Sequence, residues 1–214
     1  MLIHTFQFNH FYQNTYIITD PETLQSAVID PGCFFDAEKQ KLKSYITDNN
    51  YRLSSILYTH CHLDHMFGAA FVYKTYPNIP VYGHKDEKPF IDNAIAQSIR
   101  YGISMEQPPG ISNYITEGST ITIGNMTLYA IHIPGHSKGS ICYYYPTDNI
   151  LFSGDALFAG SIGRSDLPGG NHETLIENIS TKLLSLPGET IVYPGHGEPT
   201  TIQTEKESNP FLQE

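Results

Sequence analysis

Thr59-His60-Cys61-His62-Leu63-Asp64-His65 puts four candidate metal ligands within six residues. His60 and His62 lie two apart, so an extended segment points both to one side. Asp64 and His65 fall at the start of an expected helix and can face a neighbouring point. Three further candidates share one setting: His136 in Pro134-Gly135-His136-Ser137, Asp155 in Ser153-Gly154-Asp155, and His196 in Pro194-Gly195-His196-Gly197. Each follows an expected strand, and the glycine before it lets backbone come close to a bound group. Any one of them alone reads as an ordinary loop residue. Three of one design beside the His-rich segment do not.

Five histidines and two aspartates form a set of nitrogen and oxygen donors. A catalytic zinc site takes about three protein ligands and keeps a position open. Seven ligands exceed one such site and fit two that share a carboxylate. The expected arrangement puts His60, His62 and His136 on one ion, Asp64, His65 and His196 on the other, and Asp155 between them. Two divalent cations are therefore the expected cofactor, zinc first, with iron and manganese suited by the same donors. Ions ~3.5–4 Å apart activate a shared water, lowering its pKa to about 7, and polarise an electrophile together. Asp155 as bridge and Asp64 as orienting or proton-carrying group are then the catalytic carboxylates. Cys61 sits between two ligands that claim the inward direction, and reads as a small buried hydrophobe.

Such loops need rigid strand ends. LIHTFQF, NTYIITD and LQSAVID read as strands, the last running to a Pro31-Gly32 turn. Residues 36–48 have an acidic start and apolar Leu42, Tyr45 and Ile46, the pattern of an amphipathic helix. SSILYT is a buried strand stopping at His60; residues 64–76 read as a helix, IPVYGH as a strand and 85–101 as a helix. STITIGNMTLYAIHI reads as a hairpin turning at Gly124-Asn125. ICYYYP and NILFSG are strands, 172–185 a helix, and ETIVYPGHG a last strand entering a loop. Layer logic favours two sheets face to face with helices outside.

Twelve Lys+Arg against 22 Asp+Glu give the 214 residues a net charge of −10, which argues against nucleic acid or an anionic membrane as partner. No apolar run approaches the ~18–20 residues of a membrane span. The opening MLIHTFQFNH lacks the regions of a signal peptide, so a cytoplasmic location is expected. Three cysteines without CxxC spacing argue against a disulfide framework and a thiolate zinc site.

THCHLDH, PGHS, SGD and PGHG, in that order, resemble the metallo-β-lactamase superfamily nearly end to end. QNTYIITD, AVIDPG, EGSTITIGNMTL, GSIGRSDLPGG and NPFLQE are similar to the short, single-domain glyoxalase II-like hydrolases of bacteria. The resemblance implies an α+β fold over residues 1–214 as one domain. That fold is an αββα sandwich of two mixed sheets, with the metal site at one edge. It implies hydrolysis of a small-molecule thioester, typically S-lactoylglutathione to lactate and glutathione, and matches the seven ligands to a dinuclear site. Asp30 in VIDPG matches a family position that supports ligand histidines from behind; a turn-capping aspartate is the other reading. Arg164 in GSIGRSD could meet a substrate carboxylate, or be a solvated loop arginine. Persulfide dioxygenases are the first rival, with one iron on residues matching His60, His136 and Asp155. Lactonases and phosphodiesterases share the full ligand set. A non-catalytic, metal-stabilised module is disfavoured, because structural zinc closes at four ligands.

Overall fold

A computed structural model describes residues 1–213. In it β1 (Leu2–Phe8), β2 (Gln13–Thr19) and β3 (Gln25–Ile29) form an antiparallel meander. Helix α1 (Asp36–Asp48) carries the chain to β4 (Arg52–Leu57), which lies parallel to β3. Helices α2 (Leu63–Met66) and α3 (Ala69–Thr75) lead to β5 (Val81–Gly83), and α4 (Lys88–Asp92) and α5 (Ala94–Arg100) to β6 (Asn113–Tyr114). Both strands extend the parallel half of this first sheet. Parallel neighbours need a long crossover, and each crossover here carries helix.

The second sheet starts as an antiparallel run of β7 (Thr120–Ile123), β8 (Met126–His132), β9 (Ile141–Tyr145) and β10 (Ile150–Gly154). A small ribbon of β11 (Leu157–Phe158) and β12 (Ser161–Ile162) follows, then α6 (His172–Asn178). The chain returns as β13 (Ile191–Pro194), parallel to β10, with β14 (Thr200–Thr201) at the edge and α7 (Ile202–Ser208) beyond.

Alternation along the strands sorts side chains into three apolar layers. In β2, Ile17 joins Leu42 and Ile46 of α1 on the outer face, while Tyr16 and Ile18 turn inward. In β10, Ile150 and Phe152 turn inward to meet them, and Leu151 joins Leu175 near the start of α6. The order is helix, sheet, sheet, helix. This is the α+β sandwich of two mixed sheets that the sequence resemblance implies. The three cysteines are free and buried in these layers. No helix among the described residues is long and apolar enough to cross a membrane.

Residues 36–48 are helical as the pattern predicts. The 64–76 segment is not one helix: it breaks at Gly68, whose N–H donates to the Pro31 carbonyl (2.8 Å) instead of continuing the ladder. The 85–101 segment divides likewise, because Pro89 opens α4 and Asn93 closes it by donating to the Pro89 carbonyl (2.8 Å).

Candidate metal centre

The candidate ligands arrive from strand ends in both sheets. His60 and His62 follow β4, with Asp64 and His65 in α2; His136 follows β8; Asp155 follows β10; His196 follows β13. Local contacts fix these loops. Gly154 has φ 52°, and a Cβ there would lie 2.4 Å from Thr59 Oγ1, so a glycine is needed for the Asp155 loop to rest on the His60 loop. The Gly195 N–H donates to the Gly154 carbonyl (2.8 Å). Asn14, from the QNTY segment, donates through Nδ2 to the Pro194 (3.1 Å) and Gly197 (2.8 Å) carbonyls and fixes the His196 loop from the first sheet.

All seven side chains meet. His136 Nε2 lies 3.2 Å from His60 Nε2 and 2.9 Å from His62 Nδ1. Asp64 Oδ2 lies 3.2 Å from His196 Nε2 and 3.6 Å from His65 Nε2. Asp155 stands between the groups, with Oδ1 3.4 Å from His65 Nε2 and Oδ2 3.7 Å from both His136 Nε2 and His196 Nε2. His60, His62 and His136 form one group able to hold an ion, and Asp64, His65 and His196 another.

The hydrogen bonds behind the imidazoles decide which nitrogens face inward as lone pairs. His136 Nδ1 donates to the Arg164 carbonyl (2.7 Å), His196 Nδ1 to the Phe11 carbonyl (3.0 Å), and His65 Nδ1 to Asp30 Oδ2 (2.9 Å). His60 Nδ1 donates to Thr59 Oγ1 (3.1 Å), whose own hydroxyl donates to Asp30 Oδ2 (2.5 Å). Asp30 thus backs His65 directly and His60 through Thr59. Asp30 sits in left-handed backbone (φ 48°) and is 1% exposed, a conformation that costs about 1–3 kcal/mol in a residue with a side chain. Asp30 also groups with His60 and His65, but its oxygen meets His65 on the nitrogen turned away from Asp155.

This geometry fits cations. His65 Nε2 and Asp155 Oδ1 are buried with no hydrogen-bond partner, a costly state unless something fills the space between the groups. Three lone pairs converge at His60, His62 and His136, at spacings close to the ~3.3 Å edge of a tetrahedron with ~2.0–2.1 Å zinc–nitrogen bonds. Burial, then the facing imidazoles, lowers His60 well below the usual histidine range and His62 to about 4, so both are neutral ligands. Burial alone would lower His65 too, but Asp155 and Asp64 hold it well above that range. Burial likewise favours the neutral carboxyl of Asp155, yet His65 and then His60 and His136 keep it well below the carboxylate range.

A cavity of about 550 Å³ opens over these groups. Phe11, Leu63, Phe67, Ile103 and Phe158 make its apolar wall, and Arg164 stands on its lining. The Arg164 side chain is engaged: Nε and Nη2 donate to Asp166 Oδ1 (2.8 Å) and Oδ2 (2.9 Å). Its backbone carbonyl, not its charge, touches the site.

The sequence reading missed three contributors. Thr59 relays Asp30 to His60, and Phe11 holds His196 through a carbonyl, a use that no side-chain type announces. Glu87 is 0% exposed and accepts from the Cys61 N–H (2.7 Å), the Ser137 hydroxyl (2.7 Å) and the Gly139 N–H (2.8 Å). A lone glutamate inside Lys85-Asp86-Glu87-Lys88 carries no signal of that.

The Metallo-beta-lactamase superfamily model matches residues 9–196. A probable metallo-hydrolase, YqgX of Bacillus subtilis, is 39% identical over 92% of this chain and 90% of its own. Hydroxyacylglutathione hydrolase GloC of Haemophilus influenzae is 37% identical over 94% of this chain and 93% of its own. Among solved structures, the BLEG-1 B3 metallo-beta-lactamase is 36% identical, with a TM-score of 0.90 over 100% of both chains. TTHA1623 in a di-iron-bound form is 34% identical, with a TM-score of 0.86 over 98% of this chain and 100% of its own. With the match spanning most of the sequence and the fold reproduced throughout, the chain belongs to the metallo-beta-lactamase superfamily.

Proposed function

We propose that the chain is a metal-dependent thioester hydrolase of the glyoxalase II type, cleaving an S-acyl thiol such as S-lactoylglutathione to an acid and a thiol. His60, His62 and His136 hold one divalent ion and Asp64, His65 and His196 the other. Zinc is the favoured metal, and iron or manganese suits the same donors. The observation that carries this reading is Asp155, 3.4 Å from His65 on one oxygen and 3.7 Å from His136 and His196 on the other.

Divalent ions so held supply Lewis acidity and a water that ionises near neutral pH. The chain's own groups do the rest. Phe11, Leu63, Phe67 and Ile103 exclude water and seat the acyl group against the ligands. Asp64 lines the cavity and is placed to orient a water or accept its proton. Burial raises the carboxyls of Asp64 and Asp155, but the imidazoles, His65 foremost, bring both below the carboxylate range. Both are therefore carboxylates at neutral pH, free to accept a proton from a water. A thiolate leaves without being protonated, since a free thiol has a pKa of about 8.5, so a thioester asks less of the site than an amide does. Arg164 meets a substrate carboxylate when it leaves Asp166. Likeness to GloC across nearly the whole chain supports the acylglutathione end of this reading.

The test is turnover of S-lactoylglutathione by protein loaded separately with zinc, iron or manganese. A penicillin, and glutathione persulfide with oxygen uptake recorded, are run beside it. Thioester turnover requiring two ions per chain is expected. Oxygen uptake on the persulfide with one iron per chain, or lactam turnover alone, overturns the proposal.

A further inference from the structure

His136 Nε2 lies 3.2 Å from His60 Nε2 and 2.9 Å from His62 Nδ1, and an ion among these nitrogens needs that spacing held, so the loops that carry them must be tied together. The loops come from different sheets: His60 and His62 flank Cys61 after β4, and His136 precedes Ser137 after β8. Glu87, in the turn before α4, reaches between them. Its Oε2 takes the Cys61 N–H at 2.7 Å; its Oε1 takes the Ser137 hydroxyl at 2.7 Å and the Gly139 N–H at 2.8 Å. No cation lies within ion-pairing distance of this buried carboxylate among the described residues. A carboxylate without a counter-ion is costly to bury, and three strong donors are what makes it tolerable. The fit leaves no slack: a Cβ on Gly139 would lie 2.8 Å from both Glu87 Cγ and Glu87 Oε1.

We propose that Glu87 is a positioning residue for the His60, His62 and His136 half of the centre, closing two loops of separate sheets into one ion-binding face. Among the described residues it forms no hydrogen bond or ion pair with Asp64, His65 or His196, and it is not part of the cavity lining. The role rests on the metal reading above and is weighted towards one ion, all three of whose ligands lie on the two loops that Glu87 joins.

Glu87→Gln keeps the shape and breaks the pattern, because one amide oxygen cannot serve the Cys61 and Gly139 donors together while the amide NH2 turns a donor on one of them. Ser137→Ala removes one donor and leaves the carboxylate, a milder variant that keeps the question answerable if Glu87→Gln does not fold. The readouts are zinc affinity by chelator competition and the visible spectrum of the cobalt-loaded protein, neither of which depends on a substrate. Glu87→Gln is expected to weaken one of two ions by about 10–100-fold, the range for an outer partner of a metal ligand, and Ser137→Ala to weaken the same ion less. Two native affinities and a native cobalt spectrum in both folded variants overturn the Glu87 role alone. Equal weakening of both ions overturns its selectivity. A wild-type chain that takes up no ion overturns the metal reading itself.

Discussion

The two halves of the centre hold three side chains each and solve opposite electrostatic problems. His60, His62 and His136 face one another nitrogen to nitrogen with no carboxylate among them, and burial holds His60 and His62 neutral. Asp64, His65 and His196 alternate acid and base at 3.2 and 3.6 Å, an attractive arrangement that still leaves His65 Nε2 without a hydrogen-bond partner. Both halves are braced from behind: Glu87, Thr59 and the Arg164 carbonyl serve the first, and Asp30 and the Phe11 carbonyl the second. Only the second adds attraction between its own acids and bases. Exposure differs in degree: His60 and His136 are buried and His62 half-buried, whereas of the second group only His65 is buried and the His196 and Asp64 side chains are 29% and 18% exposed.

The harshest way to break this comparison is to remove what the halves share. Asp155→Ala should abolish uptake of both ions and cost about 3–5 kcal/mol, because His65 loses a buried partner. Metal analysis with a chemical melt checks it, and one ion retained at native affinity would assign Asp155 to a single half. Next, His136→Ala and His196→Ala should each leave one ion per chain, with kcat/KM falling by more than the about 10–100-fold that outer partners carry. Identical cobalt spectra for the two variants would mean that the halves are not separate sites. Asp30→Asn should weaken both ions by about 10–100-fold, since Asp30 reaches His65 directly and His60 through Thr59. Chelator competition would contradict this by showing one affinity unchanged. The smallest effect is expected of Asp166→Asn, which frees Arg164 and should lower KM for a thioester bearing a carboxylate but not for a neutral one.

Much of this site could be read in the sequence because its ligands come in local clusters. His60 to His65 span one strand end, and the three single ligands each follow a glycine after a strand, so composition and spacing suffice. Family resemblance, not spacing, pointed to Asp30, and in the structure its carboxylate accepts the His65 Nδ1–H. Arg164 was chosen for its charge, whereas its carbonyl is what holds His136. Backbone use of that kind leaves no trace in residue type. Glu87 was illegible for another reason: its three donors lie 26, 50 and 52 positions away, and nothing local distinguishes it from a solvated helix acid. In the fold, the alternating strands and helix 36–48 were legible, while two-residue strands such as β6, β11 and β14 are too short to alternate.

The ligands run from position 60 to position 196 and arrive from both sheets, so no short stretch of chain carries either half complete. Ions seated at such a seam behave as rivets between the layers: they bind the closed sandwich and have little to hold in an open one. At ion levels 100-fold above the dissociation constant, that preference adds about 2.7 kcal/mol to folding. On the proposed metal reading, metal supply would govern how long the protein survives as well as how fast it works.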